Sequence, residues 1–210
     1  MKYLFFIACI TTLSNPSYAN EEISEIRTEL LEMMKLDQDT LHGKTQLSFE
    51  ELNAKQSQRV QEIVEEFGWP TIEMVGKDAS QAAWIIVQHA DHDIQFQKDM
   101  LSIMQPLALS KEINLGNYVY LYDRVNTPQL YGTQGKCEGR TFKPYPIKDI
   151  EQINARRGEM GMSSAQEYWD MASERMCGAS KRCKNKTGIF AKNTNDRQRQ
   201  KSMGSFGFAP

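Results

Sequence analysis

Apolar positions along the chain recur mostly at helical spacing. Residues 21–39 place Ile23, Ile26, Leu30, Leu31, Met34 and Leu36 on one side, with carboxylates crowded into the first turns, where the helix dipole favours negative charge. Residues 52–67 carry Val60, Ile63, Val64 and Phe67 at i, i+3, i+4 and i+7 and stop at Gly68, which predicts a second amphipathic helix. Gly68-Trp69-Pro70-Thr71 interrupts the pattern, and Gly76-Lys77-Asp78 offers Asp78 as the N-cap of residues 79–89. Ala82, Ala83, Trp84, Ile85, Ile86 and Val87 make that segment apolar on most sides, as a central buried helix requires. After Asp91-His92-Asp93 a fourth amphipathic helix is expected to turn Ile94, Phe96, Met100, Leu101, Ile103, Met104 and Leu107 inward.

Residues 116–122 change period. Tyr118 and Tyr120 alternate with Val119 and Leu121, which predicts a strand. Asn126-Thr127-Pro128 reads as a turn, and residues 129–133 as the returning strand of a small hairpin. Helical patterns resume over residues 147–160 and 164–176, with Gly161 between them. The predicted class is α+β, predominantly helical, with about six helices and one small antiparallel β-hairpin.

The N-terminus sets the expected compartment. Lys2, an apolar run over residues 3–13 and Ser17-Tyr18-Ala19 resemble a secretory signal over residues 1–19, cleaved near Ala19, so a periplasmic or secreted location is expected. The apolar run is shorter than the roughly 20 residues of a membrane span. A mean hydropathy of −0.57 with this single long apolar run excludes a polytopic membrane protein. The length of 210 residues suits one ordinary domain, predicted over residues 20–176, plus a tail. A net charge of −2 gives no reason to expect specific nucleic-acid binding.

Signal removal takes Cys9 and leaves Cys137, Cys177 and Cys183, the count for one disulfide and one leftover thiol. Spacing leaves the connectivity open: Cys177 and Cys183 can close a local loop, or either can reach back to Cys137. No pair has the close spacing that structural zinc sites favour. Residues 177–210 are predicted to form a basic, flexible tail, in which Asp196 is the only acidic residue among Lys181, Arg182, Lys184 and their followers. Its candidate partners are solvent, an anionic wall polymer, a membrane surface or a protein.

Two polar constellations are candidates for chemistry. Gln88-His89-Ala90-Asp91-His92-Asp93 closes the most apolar helix; if that helix continues, His89 and Asp93 share a face one turn apart. A buried imidazole needs a partner. Asp91 or Asp93 would orient His89 as a general base, or the groups would ligate a divalent metal as cofactor, or the cluster would simply cap the next helix. The second constellation is Asp123-Arg124 with Gln129, Tyr131, Thr133 and Gln134, which offers amides and hydroxyls beside a guanidinium suited to clamping a small anion. The nucleophile elbow, the P-loop and the zincin H-E-x-x-H are all lacking.

Gly68-Trp69-Pro70-Thr71, Val75-Gly76, Ala82-Ala83-Trp84, Val87-Gln88-His89-Ala90-Asp91, Phe96-Gln97, Asp123-Arg124 and Gln129-Leu130-Tyr131-Gly132-Thr133-Gln134 occur in this order. Over residues 26–169 the chain thereby resembles the uncharacterised bacterial family catalogued as domain of unknown function 6624. The resemblance implies no activity. It does imply a joint role for Gln88, His89, Asp91, Asp123, Arg124 and the 129–134 segment, with Asp37-Gln38 as a further contributor. The turn between Arg124 and Gln129 is shorter than that family's, which puts ligand contacts at its tip in doubt. The cysteines and the basic tail look like additions to the family pattern, which suggests a bridge from Cys137 to Cys177 or Cys183. The expected function is a hydrolase in which His89 is general base, Asp91 or Asp93 orients it, and Arg124, Tyr131 and Gln134 hold substrate. The alternative is a non-catalytic protein that uses the same groups, with Trp69, Tyr118, Tyr120 and Tyr131 as anchors beside Arg124, to recognise a small anion or a protein partner.

Overall fold

The computed structural model describes residues 16–178. Residues 1–15, with most of the predicted signal, and residues 179–210, with Cys183 and nearly all of the basic tail, lie outside the described residues. Among the described residues, seven α-helices and one two-stranded antiparallel sheet are present, so the class is α+β and mainly helical.

Helix α1 (Pro16–Leu41) runs alongside α3 (Ile72–His89) in the same direction, since Arg27 pairs with Asp78 and Asp37 meets His89 near the other end. Helix α2 (Phe49–Phe67) starts one turn earlier than its apolar pattern, because the Ser48 hydroxyl accepts from the Glu51 amide and caps it. Gly68 ends it, sending its N–H to the Val64 carbonyl.

The buried helix α3 also starts earlier than predicted, at Ile72, where Thr71 accepts from the Met74 amide. At Gly76, with φ 82°, the backbone leaves helical geometry, and the Asp78 carboxylate then accepts from the Ala79 amide. The helix thus restarts at the expected position. Arg27 spans the kink, donating to the Val75 carbonyl and to both Asp78 oxygens, the latter at 2.6 and 2.7 Å. Asp93 caps α4 (Ile94–Leu109) by accepting from the Phe96 amide.

The predicted strand over residues 116–122 is instead helix α5 (Leu115–Val125), capped by Asn114. Its Tyr118, Val119, Tyr120 and Leu121 are all buried. A short helix covered on nearly all sides has no polar stripe to betray its period, and its aromatic and β-branched residues are those that strands favour. The predicted return strand over residues 129–133 is a loop that makes one isolated bridge, Gln129 to Ile147.

The hairpin lies further on, pairing β1 (Gly135–Glu138) with β2 (Thr141–Pro144) in the register Glu138↔Thr141. Its two-residue turn places Gly139 at φ 63°, which a hairpin turn of this length requires at its first position. A short 3₁₀ turn (Ile150–Gln152), α6 (Ile153–Glu159) and α7 (Ala165–Met176) complete the described chain. Ser164 and Glu167 form a reciprocal capping box on α7. The Cys137–Cys177 disulfide ties β1 to the end of α7.

Two apolar clusters hold these elements. The larger joins Leu30, Ile63, Ile86, Met104 and Leu121 from α1 to α5, each fully or nearly fully buried and each contributing roughly 1.5–3 kcal/mol of transfer free energy. The smaller packs Phe142 of β2 against Tyr168 and Ala172 of α7.

Candidate functional site

His89 is the last residue of α3, and its imidazole is buried. Its Nδ1 lies 2.9 Å from Asp37 Oδ1, where the side-chain exposures of the pair are 1% and 0%. Asp37 also accepts from the Gln38 amide at 2.9 Å, and the Phe49 ring leans on the imidazole at 5.7 Å. An ionised carboxylate only accepts, so this contact puts the proton on Nδ1 and gives the basic lone pair of the neutral ring to Nε2.

The carboxylate that orients His89 is therefore Asp37 from α1, not Asp91 or Asp93. The helix does not continue through the cluster: Ala90 ends it, and Asp91-His92 forms a turn. Asp93 is spent as a helix cap. Asp91 meets Arg124, whose Nε and Nη2 donate to its two oxygens at 2.8 and 2.5 Å. Arg124 Nη1 also approaches Gln134 Oε1 at 3.5 Å. A bidentate carboxylate thus already occupies the fork that was expected to clamp an anion. Among the described residues, no group of three or more His, Cys, Asp and Glu side chains could hold a metal ion.

Asp123 occupies the centre of the second constellation. It is 3% exposed and accepts four hydrogen bonds: from the amides of Leu130, Tyr131 and Thr133 at 2.8, 3.1 and 2.9 Å, and from the Thr133 hydroxyl at 3.0 Å. Burial pushes its carboxyl up from the ordinary range, and the amides of Thr133, Tyr131 and Leu130 oppose the rise. Gln129 is equally committed, its Nε2 donating to the carbonyls of Gln134 and Tyr145 and its Oε1 accepting from the Gln134 amide.

The same loop is tied to α6 and α7. Arg157 Nη1 donates to the Tyr131 carbonyl at 2.6 Å, Trp169 Nε1 to the Gly132 carbonyl at 2.9 Å, and the Tyr168 hydroxyl to the Thr133 carbonyl at 2.9 Å. Tyr131 is buried edge-on against Tyr122, and burial pushes its phenol up to about 12. Of the residues expected to bind substrate, Asp123, Gln129 and Thr133 build the loop itself.

Helix α3 presents the opposite condition. Gln81, Trp84 and Gln88 fall on one face, at i, i+3 and i+7. Among the described residues, Gln81 Nε2, Trp84 Nε1 and both amide atoms of Gln88 are sealed from solvent without a hydrogen-bond partner. Gln88 is 0% exposed. The Trp84 ring meets Tyr120 edge-on at 5.9 Å. Gln81 Oε1 accepts from Asn117 Nδ2 at 2.8 Å.

Gln81, Asn117 and Tyr120 border a cavity of about 720 Å³ that opens to solvent and whose other walls include Met34, Thr133, Tyr168 and Met171. Burial pushes the Tyr120 phenol up, opposed first by the Arg124 guanidinium and then by Gln134, so Tyr120 links the cavity to the Arg124–Asp91 pair. Of the wall residues, Tyr120 was expected from sequence as an aromatic anchor of the binding alternative, and Thr133, expected to bind substrate, also lines the cavity; Gln81, Asn117, Met34, Tyr168 and Met171 were not singled out. The available signal was Gln81 itself, a second amide seven residues before Gln88 on an otherwise apolar helix.

Fold and site together define a mainly helical α+β protein with one tightly tied polar loop beside a large, mostly apolar cavity. A family model described as "Family of unknown function (DUF6624)" matches residues 20–179, and the chain belongs to that family. No curated protein and no solved structure matches it.

Proposed function

We propose that the protein is a secreted or periplasmic binding protein that takes a small molecule into the cavity between α3, α5 and α7. The observation that carries this reading is the cavity itself, about 720 Å³ with Met34, Tyr120, Met162, Tyr168 and Met171 on its walls beside the polar Gln81 and Asn117. A concave, mostly apolar site with a few polar groups is the form that small-molecule sites take. The signal-like N-terminus and the Cys137–Cys177 disulfide support export. Among the described residues no helix is long and apolar enough to cross a membrane.

Ligand-detected NMR with a mixture of small aromatic and aliphatic compounds tests the reading. Binding to the wild type that weakens in Met171→Trp, which places an indole on the cavity wall, is the expected result. Binding unchanged by that substitution contradicts it.

The Asp37–His89 pair favours a second reading, hydrolysis with His89 as general base. Its buried, carboxylate-held imidazole is the arrangement that such chemistry uses. On this reading His89→Ala abolishes turnover of an ester or amide panel. On the binding reading the panel is not turned over, and His89→Ala changes only stability.

A further inference from the structure

The charged groups on the cavity walls do not cancel. Asp78 is the acidic side chain among the described wall residues, and both of its oxygens already accept from Arg27. Lys77 is exposed and makes no ion pair among the described residues. Arg157 is the second wall cation, only 1% exposed, and it too has no ion pair there. Its Nε donates to the Ser163 carbonyl and its Nη1 to the Tyr131 carbonyl, with the Tyr168 ring 5.0 Å from the guanidinium carbon. Nη2 makes no hydrogen bond among the described residues and, unlike the amide atoms of Gln88, is not sealed from solvent. Asp123 acts on Arg157 only through space, since its own oxygens are spent on the loop amides and the Thr133 hydroxyl.

A guanidinium does not deprotonate in a protein, so a buried one without a paired carboxylate carries a standing desolvation cost. An anion beside it supplies the missing charge in a partly desolvated setting, where attraction is stronger than in water. The rest of the cavity does not suit a small hydrated ion. Met34, Met162 and Met171 are partly buried thioethers that adapt to apolar shapes, and Tyr120 and Tyr168 add aromatic surface. A volume of about 720 Å³ is that of a site for an organic molecule of drug-like size. Charge and apolar wall together call for an amphiphile.

We propose that the cavity takes a monocarboxylate whose carboxylate meets Arg157 at Nη2 and whose apolar body lies against Met34, Met162 and Met171. This rests on the binding reading above. It moves the small anion expected from sequence from Arg124, whose fork holds Asp91, to Arg157. The exposed Lys77 adds to the positive field that draws the anion in.

Three probes of nearly one shape test this with the mature protein at neutral pH: 3-phenylpropanoate, 3-phenylpropanamide, which keeps the carbonyl without the charge, and 3-phenylpropylammonium, which reverses the charge. Affinities are read by ligand-detected NMR titration. The carboxylate is expected to bind about ten- to a hundredfold more tightly than the amide, the range that a hydrogen bond to a charged group supplies, and the ammonium more weakly than either. In Arg157→Gln the carboxylate should fall to the affinity of the amide, and Arg157→Lys, which keeps the charge, should restore part of the difference. Arg157 also holds the loop, so Lys77→Glu tests the same field at an exposed position should the Arg157 variants not fold. It should weaken the carboxylate about two- to fivefold at low salt and leave the amide unchanged. Binding of the carboxylate no tighter than that of the amide to the wild type overturns the anion assignment; if that binding weakens in Met171→Trp, the cavity reading stands. A carboxylate preference unchanged in the folded variants places the anion elsewhere and also overturns the assignment. Failure of all three probes to bind overturns the cavity reading as well.

Discussion

The loop from Asp123 to Gln134 and the inner face of α3 are both rich in buried polar groups, yet they are in opposite states. In the loop, Asp123 accepts four hydrogen bonds and all three hydrogen-bonding contacts of the Gln129 side chain go to its neighbourhood. On α3, Gln88 is as deeply buried as Gln129 and neither of its amide atoms has a partner among the described residues. A buried polar residue is therefore not evidence of a binding site by itself. What separates scaffold from candidate ligand face is whether its hydrogen bonds are already made.

The largest effect expected from this contrast is at Asp123. Asp123→Ala leaves three buried amides and a hydroxyl without an acceptor and should cost more than about 4 kcal/mol, read from the urea midpoint. A cost under about 1 kcal/mol would show that the loop does not depend on it. The disulfide ties the strand that follows the loop, and its chain separation of 40 residues predicts a loss of about 4 kcal/mol when Cys137 and Cys177 are both changed to Ser.

A matched pair of substitutions probes the contrast most sharply at intermediate size. Gln129→Met should destabilise by about 2–3 kcal/mol, because three hydrogen bonds lose their partner. Gln88→Met, which replaces an unpartnered buried amide by an apolar side chain of similar length, should be neutral or stabilising by about 1 kcal/mol. Equal losses at the two positions, measured by thermal unfolding, would erase the distinction.

The smallest effect is a pH dependence outside both regions. Hydrogen bonds from Lys35 and then Lys44 hold the exposed Asp39 carboxyl down to about 2. A depressed folded-state value means that its contribution is present above the ordinary carboxylate range and fades as pH falls from about 4 to 2. Arg27 acts on Asp78 in the same direction. Asp123 has the opposite sign, since burial raises its value and its ionised form gains nothing from folding through that term. Asp39→Asn should flatten the acid limb of the stability curve slightly, and the more so at low salt.

Much of the helical frame was legible because amphipathic periodicity survives wherever one face meets water, as in α1 and α2. The period failed at α5, where burial on nearly every side removed the polar stripe and left tyrosines and a valine that read as strand. The hairpin was missed because each strand is only four residues long, with Cys137 and Phe142 as the sole inward apolar side chains, and only Gly139 marked the turn. At the site, local spacing paired His89 with Asp91 or Asp93, whereas Asp37 entered only through the family resemblance, as a further contributor. Asp37 lies 52 residues away and is brought close only by the packing of α1 along α3. Asp123, Arg124 and Gln129 were correctly noticed as a polar cluster, but local spacing cannot tell a residue that binds a ligand from one that binds its own loop. The cavity escaped notice because its wall residues are scattered over five helices and the connections between them.

The most direct measurement is a titration of the mature, ¹⁵N-labelled protein with a small aromatic compound that binds in the ligand-detected screen, following assigned side-chain amide resonances of glutamine. The account predicts that the Gln81 resonance moves and saturates while those of Gln129 and Gln134 stay in place. Saturable movement of Gln129 and Gln134 with Gln81 unmoved would place the ligand in the loop and contradict the assignment of α3 as the binding face.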